Sequence, residues 1–180
     1  MTIEKKEDIL IESARIISED GIENYSMQKL ADELGVRKAS LYHHYKSKDE
    51  ILRAMHDYFH AMLMKKGYRM MLSDNLDDNL SDLVSHWQNL FFSEEMYDYL
   101  RCLLIMRQTD QRAYEEWRSI SLTIEGQSQV VIERHAKSAQ MISPLFSALL
   151  ELSLERALIN GESGTLEVLS TSFPALLHRL

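Results

Sequence analysis

The chain has 180 residues, a formal net charge of −8, and 45% hydrophobic against 27% charged residues. That profile fits one domain, or a small domain joined to a larger one, and excludes a disordered polyelectrolyte. The acidic balance also excludes nucleic-acid binding over the whole surface, so any such contact must come from a local basic patch.

With six glycines and two prolines among abundant Leu, Met, Ala, Glu, Lys and Arg, the composition predicts an all-α chain. The single cysteine, Cys102, cannot form an internal disulfide and fits a reducing cytoplasm. Residues 1–8 are charged, with no apolar run behind a basic start, so no secretory leader is expected. The longest apolar runs, such as 103–106, are far too short to cross a bilayer. The expectation is a soluble cytoplasmic protein with no membrane partner.

In chain order, Leu10, Ala14 and Ile17, flanked by Ile9 and Ile16, repeat at helical spacing and predict a helix over 4–20 that Gly21 ends. Ser26 is placed to cap a second helix, in which Met27, Leu30, Ala31 and Leu34 follow the i, i+3, i+4, i+7 pattern. Gly35 keeps it short. A third short helix is expected from Arg37 to about His44. Ser47 and Glu50 then form a capping box that opens a long helix over 48–70. Residues 74–78 read as a polar break, and five further helices follow. The first buries Leu80, Leu83, Val84, Trp87, Leu90 and Phe91, and the second runs over about 94–108. The third starts near Asp110 and carries Tyr114, Trp117, Ile120, Ile124 and Val131, with Gly126 as its weak point. Ser143 is expected to cap the fourth, with Pro144 at its first position, where a missing N–H costs nothing. Gly161 and Gly164 bracket the turn into the last helix, which Pro174 is expected to kink or split. The total is about nine helices.

Two short helices joined at Leu34-Gly35-Val36, with a stabilising helix before them, have the outline of a helix-turn-helix. Leu41 and Tyr45, four apart, can face inward, which turns Ala39, Tyr42 and His43 outward. Arg37 and Lys38 project from the N-terminal end of this helix, the end that enters the major groove in such motifs. From Leu34 to Lys48 there is no acidic residue, while Arg37, Lys38, Lys46 and Lys48 are basic and His43 and His44 lie between them. In an acidic chain that reversal marks a phosphate-facing strip.

The run Leu34-Gly35-Val36-Arg37-Lys38-Ala39-Ser40-Leu41-Tyr42-His43-His44-Tyr45-Lys46-Ser47-Lys48, with Tyr42, His44 and Lys48 at characteristic places, resembles the signature of the TetR (AcrR-like) family of transcriptional repressors. Tyr25-Ser26-Met27-Gln28-Lys29-Leu30-Ala31 upstream fits as well. The resemblance is specific over about 9–55 and architectural beyond. Arg37 departs from the small capping residue, such as serine, that the family often has there. It cannot cap the recognition helix but can add a phosphate contact.

The resemblance implies that Gln28, Lys38, Ala39 and Tyr42 read base edges. The chemistry agrees: Lys38 can donate to guanine, Gln28 can pair with adenine, and the Ala39 methyl can meet a thymine methyl. Arg37, Ser40, His43, His44 and Lys48 are implied phosphate contacts. Lys48 starts the long helix, where free N–H groups and the dipole favour an anion. Tyr45 is expected in the core. The resemblance further implies a helix-turn-helix domain over 1–47, a connecting helix over 48–70, and an effector-binding and dimerisation domain over 71–180. The function it implies is ligand-responsive repression by a homodimer on a palindromic DNA operator, with no enzymatic activity and no cofactor.

The residues give the dimer some independent support. In the helix with Pro144, one stripe is Phe146, Leu149, Leu150, Leu154, Ala157 and Leu158, and a second is Leu145, Ala148, Leu152 and Ile159. So wide an apolar surface predicts one internal neighbour and one from a second subunit. The last helix adds Leu166, Leu169, Phe173, Leu176 and Leu180. The expected interface is Leu145, Ala148, Leu152, Ile159, Leu169, Phe173 and Leu176, and the alternative is a helix buried centrally in one domain.

Trp87, Phe91, Tyr97, Met106, Tyr114 and Trp117 can line a pocket for an apolar or aromatic effector, or form plain core. No phosphate-binding glycine loop, Cys-x-x-Cys or nucleophile elbow is present, which argues against an enzyme. His56 and His60 have a spacing that can hold zinc but no evident third ligand, and both are expected partly exposed. Cys102, among Leu100, Leu103 and Leu104, is expected buried and inert. A metal- or redox-sensing regulator and a helical protein-interaction module without DNA binding are the alternatives. Duplex binding that weakens steeply with salt separates the last from the first.

Overall fold

The computed structural model describes residues 6–66, 72–135, 139–161 and 164–177, and among them the secondary structure is entirely helical. The helices are α1 (Lys6–Asp20), α2 (Met27–Glu33), α3 (Lys38–His44), α4 (Lys48–Lys65), α5 (Leu76–Phe91), α6 (Tyr97–Met106), α7 (Gln111–Glu133), α8 (Ala139–Asn160) and α9 (Gly164–Leu177). The part of the expected 48–70 helix beyond Lys66 lies outside the described residues, as does Leu180. None of the described helices is long and apolar enough to cross a membrane.

Several helix ends follow from single residues. Gly21 and Gly161 take positive φ and close α1 and α8. Asp110 accepts the Ala113 N–H at 2.8 Å and so caps α7. The expected polar break at 74–78 is shorter than the sequence pattern indicates. Asn75 accepts from the N–H groups of Asp77 and Asp78, and α5 begins at Leu76. α6 is likewise shorter than the expected 94–108.

The two prolines also sit differently from expectation. Pro144 lies inside α8, which begins five residues earlier at Ala139, and Ser143 is a buried helix residue rather than the cap. Near a helix start a proline forfeits only one intrahelical bond, and burial of Ala139 and Ile142 offsets it. α9 continues through Pro174 to Leu177, and α7 through Gly126.

The chain forms two compact units. The first comprises α1 to α4 with α6 and the start of α7 up to Glu116. α1 is its centre: Ile9, Leu10, Ala14, Ile16 and Ile17 are buried, and α1 packs on both α4 and α6. Tyr99 of α6 stacks on Phe59 of α4 with ring centroids 4.4 Å apart, and its hydroxyl lies 3.0 Å from His56 Nδ1. Ser18 of α1 donates to Asp98 at 2.7 Å. The second unit holds α5, the rest of α7, α8 and α9, with α9 packed on α5 and α8.

His56 is only 2% exposed, contrary to the expectation of a partly exposed side chain, because α6 covers this face of α4. Its Nε2 has no hydrogen-bond partner among the described residues. Burial pushes its pKa below the usual 6.5, and Arg112 acts the same way, against the opposing carboxylates of Asp110, Glu116 and Asp57. The unfolded chain therefore takes up this proton more readily than the folded one. Stability is full above about pH 6.5 and is expected to fall as the pH drops below that value. Urea unfolding between pH 7.5 and pH 5 checks this. His56→Gln, which keeps an acceptor for Tyr99, should show a shallower loss than wild type, and equal slopes would refute the assignment.

Candidate nucleic-acid interface

α2, the turn after it and α3 are built from local signals. The Ser26 side chain accepts from Lys29 N–H at 3.1 Å, which caps α2, and Met27, Leu30 and Ala31 are buried. Gly35 reverses the chain at φ +64°, and Val36 N–H then bonds back to the Ala31 carbonyl at 2.9 Å. Arg37 stands at the N-cap of α3 without a side-chain cap, as its chemistry requires. Leu41 and Tyr45 are buried and hold α3 against the unit, while Lys38, Ala39, Tyr42 and His43 are exposed. Tyr42 presents 48% of its surface. Ser40 and His44 are half-buried, and Gln28 on α2 is exposed.

Electrostatics favour an anion on this face. Elsewhere in the unit several cations are held by acids: Arg15 by Glu12, Glu19 and Glu33, Lys29 by Asp20, Lys66 by Glu95, and Arg112 by Asp57. Among the described residues, Arg37 and Lys38 enter no such pair. The Gln28 amide donates to Asp32 at 2.9 Å.

Lys48 differs from the other basic residues of the strip. Its Nζ donates to the backbone carbonyls of Ile22 at 3.0 Å and Tyr25 at 2.9 Å, and lies 5.2 Å from the Tyr25 ring centroid. Nothing local in the sequence signals this, since the acceptors lie more than twenty residues upstream. The capping box at Ser47 forms with a variation. Ser47 Oγ accepts from Glu50 N–H at 3.2 Å, and the Glu50 carboxylate takes the N–H of Lys46, one residue before the cap.

The sequence-derived pocket residues divide between the units. Trp87, Phe91 and Trp117 are buried in the second, in an edge-to-face chain with centroids 6.0 and 5.9 Å apart. Their indoles donate to Gln127 at 2.9 Å and to Glu151 at 3.0 Å. Met106, buried, and Tyr97, half-buried, belong to the first unit, as does Tyr114, whose ring is exposed because it lies on the outer face of α7. His60 Nδ1 is 2.8 Å from Glu116. The Cys102 thiol is buried, which raises its pKa well above the usual value.

α8 is apolar on two sides. Phe146, Leu150, Leu154, Ala157 and Leu158 are buried, whereas Leu145 (64% exposed), Ala148, Leu152 (46%) and Ile159 (60%) face out. Leu149 sits with the outer set, not the inner stripe expected for it. Leu169 is buried and Phe173 half-buried, its ring 4.8 Å from that of Phe146, while the Leu176 side chain lies outside what is described. Leu149, Ser153, Gly164, Val168, Leu169, Ser172 and Phe173 line an apolar groove of about 430 Å³ between α8 and α9.

Residues 9–55 match the family described as bacterial regulatory proteins, tetR family. Over 63 residues the chain is 36% identical to the HTH-type transcriptional regulator YerO of Bacillus subtilis (strain 168). That match covers 35% of this chain and only 22% of the length of that relative. Among solved structures, the fold is similar to the TetR family transcriptional regulator PfmR from Thermus thermophilus, with a TM-score of 0.69 at 21% identity over 97% of this chain and 96% of that one. A TetR transcription regulator from Haloarcula marismortui gives a TM-score of 0.65 at 20% identity, covering 92% of each chain. These folds agree along nearly the whole chain, while the family match runs from within α1 to the first turns of α4 and so includes α2, the Gly35 turn and α3. Residues 9–55 thus carry an N-terminal module of the kind found in the tetR family of bacterial regulatory proteins.

Proposed function

We propose that this protein is a DNA-binding transcriptional regulator that acts as a homodimer and sets one α3 into each of two successive major grooves, about 34–36 Å apart, on a palindromic operator. The observation that carries the reading is the two-sided character of α3: Leu41 and Tyr45 are buried, while Lys38, Ala39 and Tyr42 stand exposed beside Arg37 in an otherwise acidic chain. Lys38, Ala39, Tyr42 and Gln28 are the proposed readers of base edges. Arg37, Ser40, His43 and His44 are the proposed phosphate contacts.

The dimer reading is supported by the outward face of α8, with Leu145, Ala148, Leu152 and Ile159, and by the groove that Leu169 and Phe173 help to line. A patch of this kind on one chain suits an isologous two-fold contact. The regulator is proposed to be a repressor released by a small apolar or aromatic effector. Binding to the second unit, with Trp87, Phe91 and Trp117 as the side chains it meets, would favour one of two dimer states. Tyr97, Met106 and Tyr114 belong to the first unit.

The test is Tyr42→Ala against duplexes selected from a random library by the wild-type protein. Affinity is expected to fall by roughly tenfold or more, as loss of one base contact of about 1–3 kcal/mol requires, with helical content and oligomeric state unchanged. Unchanged affinity would mean that α3 does not dock by this face.

A further inference from the structure

We propose that Lys48 is a positioning residue, which ties the α1–α2 turn to the start of α4 and thereby sets where α2 and α3 stand, instead of neutralising a phosphate. The inference rests on the DNA-binding reading above. An ammonium group has three donors. Two of those on Lys48 converge on the carbonyls of Ile22 and Tyr25, at 3.0 and 2.9 Å, and the charge also lies over the Tyr25 ring. Two carbonyl dipoles and an aromatic face together make a receptor for a cation, formed by one turn of the chain.

Tyr25 is the hub of this arrangement. It is almost fully buried, and its hydroxyl lies 2.7 Å from Ser13 Oγ on α1. Ser13 gives its own proton to the Ile9 carbonyl, so the Tyr25 phenol is the donor between them. The next residue, Ser26, caps α2. A continuous path therefore runs from α1 through Ser13 and Tyr25 to Lys48 on α4, and it fixes the residue from which α2 departs. α3 follows α2 across a turn pinned by the Val36 to Ala31 bond. Two of the three Lys48 donors are thus committed to the α1–α2 turn. A Lys48 that swung out onto a phosphate would leave both carbonyls and the ring and free the turn that aims the recognition helix.

Counterion release distinguishes the two roles. Each phosphate neutralised adds about 0.9 to the slope of log affinity against log salt concentration. The experiment titrates duplex DNA with full-length wild type and Lys48→Met across a salt series, at a temperature where circular dichroism shows both fully folded. A loss of stability alone then leaves affinity unchanged. Lys48→Met is expected to bind at least tenfold more weakly with the wild-type salt slope. A slope smaller by about one, or an unchanged affinity, overturns the positioning role.

Should the variant not fold, amine-reactive footprinting of the wild type decides. A lysine already held by carbonyls reacts slowly in the free protein and equally slowly on DNA. A Lys48 that is reactive when free and protected only on DNA overturns the proposal. A wild type that binds no duplex at any salt overturns the DNA reading, and this role with it, whereas the slope and footprint outcomes overturn the positioning role alone.

Discussion

Leu152→Glu is expected to leave the protein monomeric and to weaken operator binding by two to four orders of magnitude. Leu152 lies midway along the outward face of α8, with Leu145 and Ala148 one side of it and Ile159 the other. In a two-fold contact each substitution occurs twice. Removing two leucines forfeits about 1.5–3 kcal/mol of burial each, and two carboxylates would enter an apolar, dehydrated patch. The effect on DNA follows from valency. Two linked heads gain roughly 10²–10⁴ in avidity over one, and a monomer loses that factor with every α3 contact intact. Light scattering after gel filtration and a parallel DNA titration check both halves. A variant that stays dimeric at micromolar concentration would move the interface off this face.

The second large effect is expected in the first unit. Tyr99→Ala should lower unfolding stability by about 3–5 kcal/mol, the range for truncating a buried aromatic ring. The ring is fully buried, stacks on Phe59 and joins α6 to the α1–α4 core, so its removal leaves a cavity at the meeting point of three helices. Tyr99→Phe separates packing from polarity. It keeps the ring and removes only the partner of His56 Nδ1, on a histidine whose Nε2 already has none among the described residues. Leaving that group unpaired should lower stability by about 1–3 kcal/mol. Urea midpoints at constant m-value measure both, and a loss below about 1 kcal/mol for the alanine variant would contradict the packing described for α6.

The two substitutions also divide what was legible in the sequence from what was not. The α2–turn–α3 unit was legible because its determinants are local: Ser26 at the cap, Gly35 at positive φ, Leu41 and Tyr45 one turn apart on the buried side. The outward face of α8 was legible for the same reason, as a second apolar stripe at helical spacing. Illegible features depend on partners distant in the chain. Ser18 meets Asp98 across eighty residues, and although α1 and α6 each carry an apolar stripe, neither stripe says that the other is its partner. His56 reads as a surface residue until α6 is laid over it. Lys48 reads as a phosphate ligand, and its bonds to the carbonyls of Ile22 and Tyr25, more than twenty residues back, leave no mark in the local sequence. Pro144 misled because a proline near a helix start looks like the start itself. Burial of Ala139 and Ile142 carries α8 further back.

The bond from Gln28 to Asp32 bears on how an operator would be told from other DNA. In the unbound protein one N–H of this amide is already held by a carboxylate one turn away. If Gln28 reads a base edge as proposed, that N–H must be drawn from a charged acceptor, not water, and its capture would leave Asp32 alone beside a polyanion. Only a site that returns two good bonds to Gln28 offsets that repulsion. On that proposed role, some tightness would be given up everywhere so that mismatched sequences are rejected more strongly, with selectivity arising from a repulsive element held in reserve.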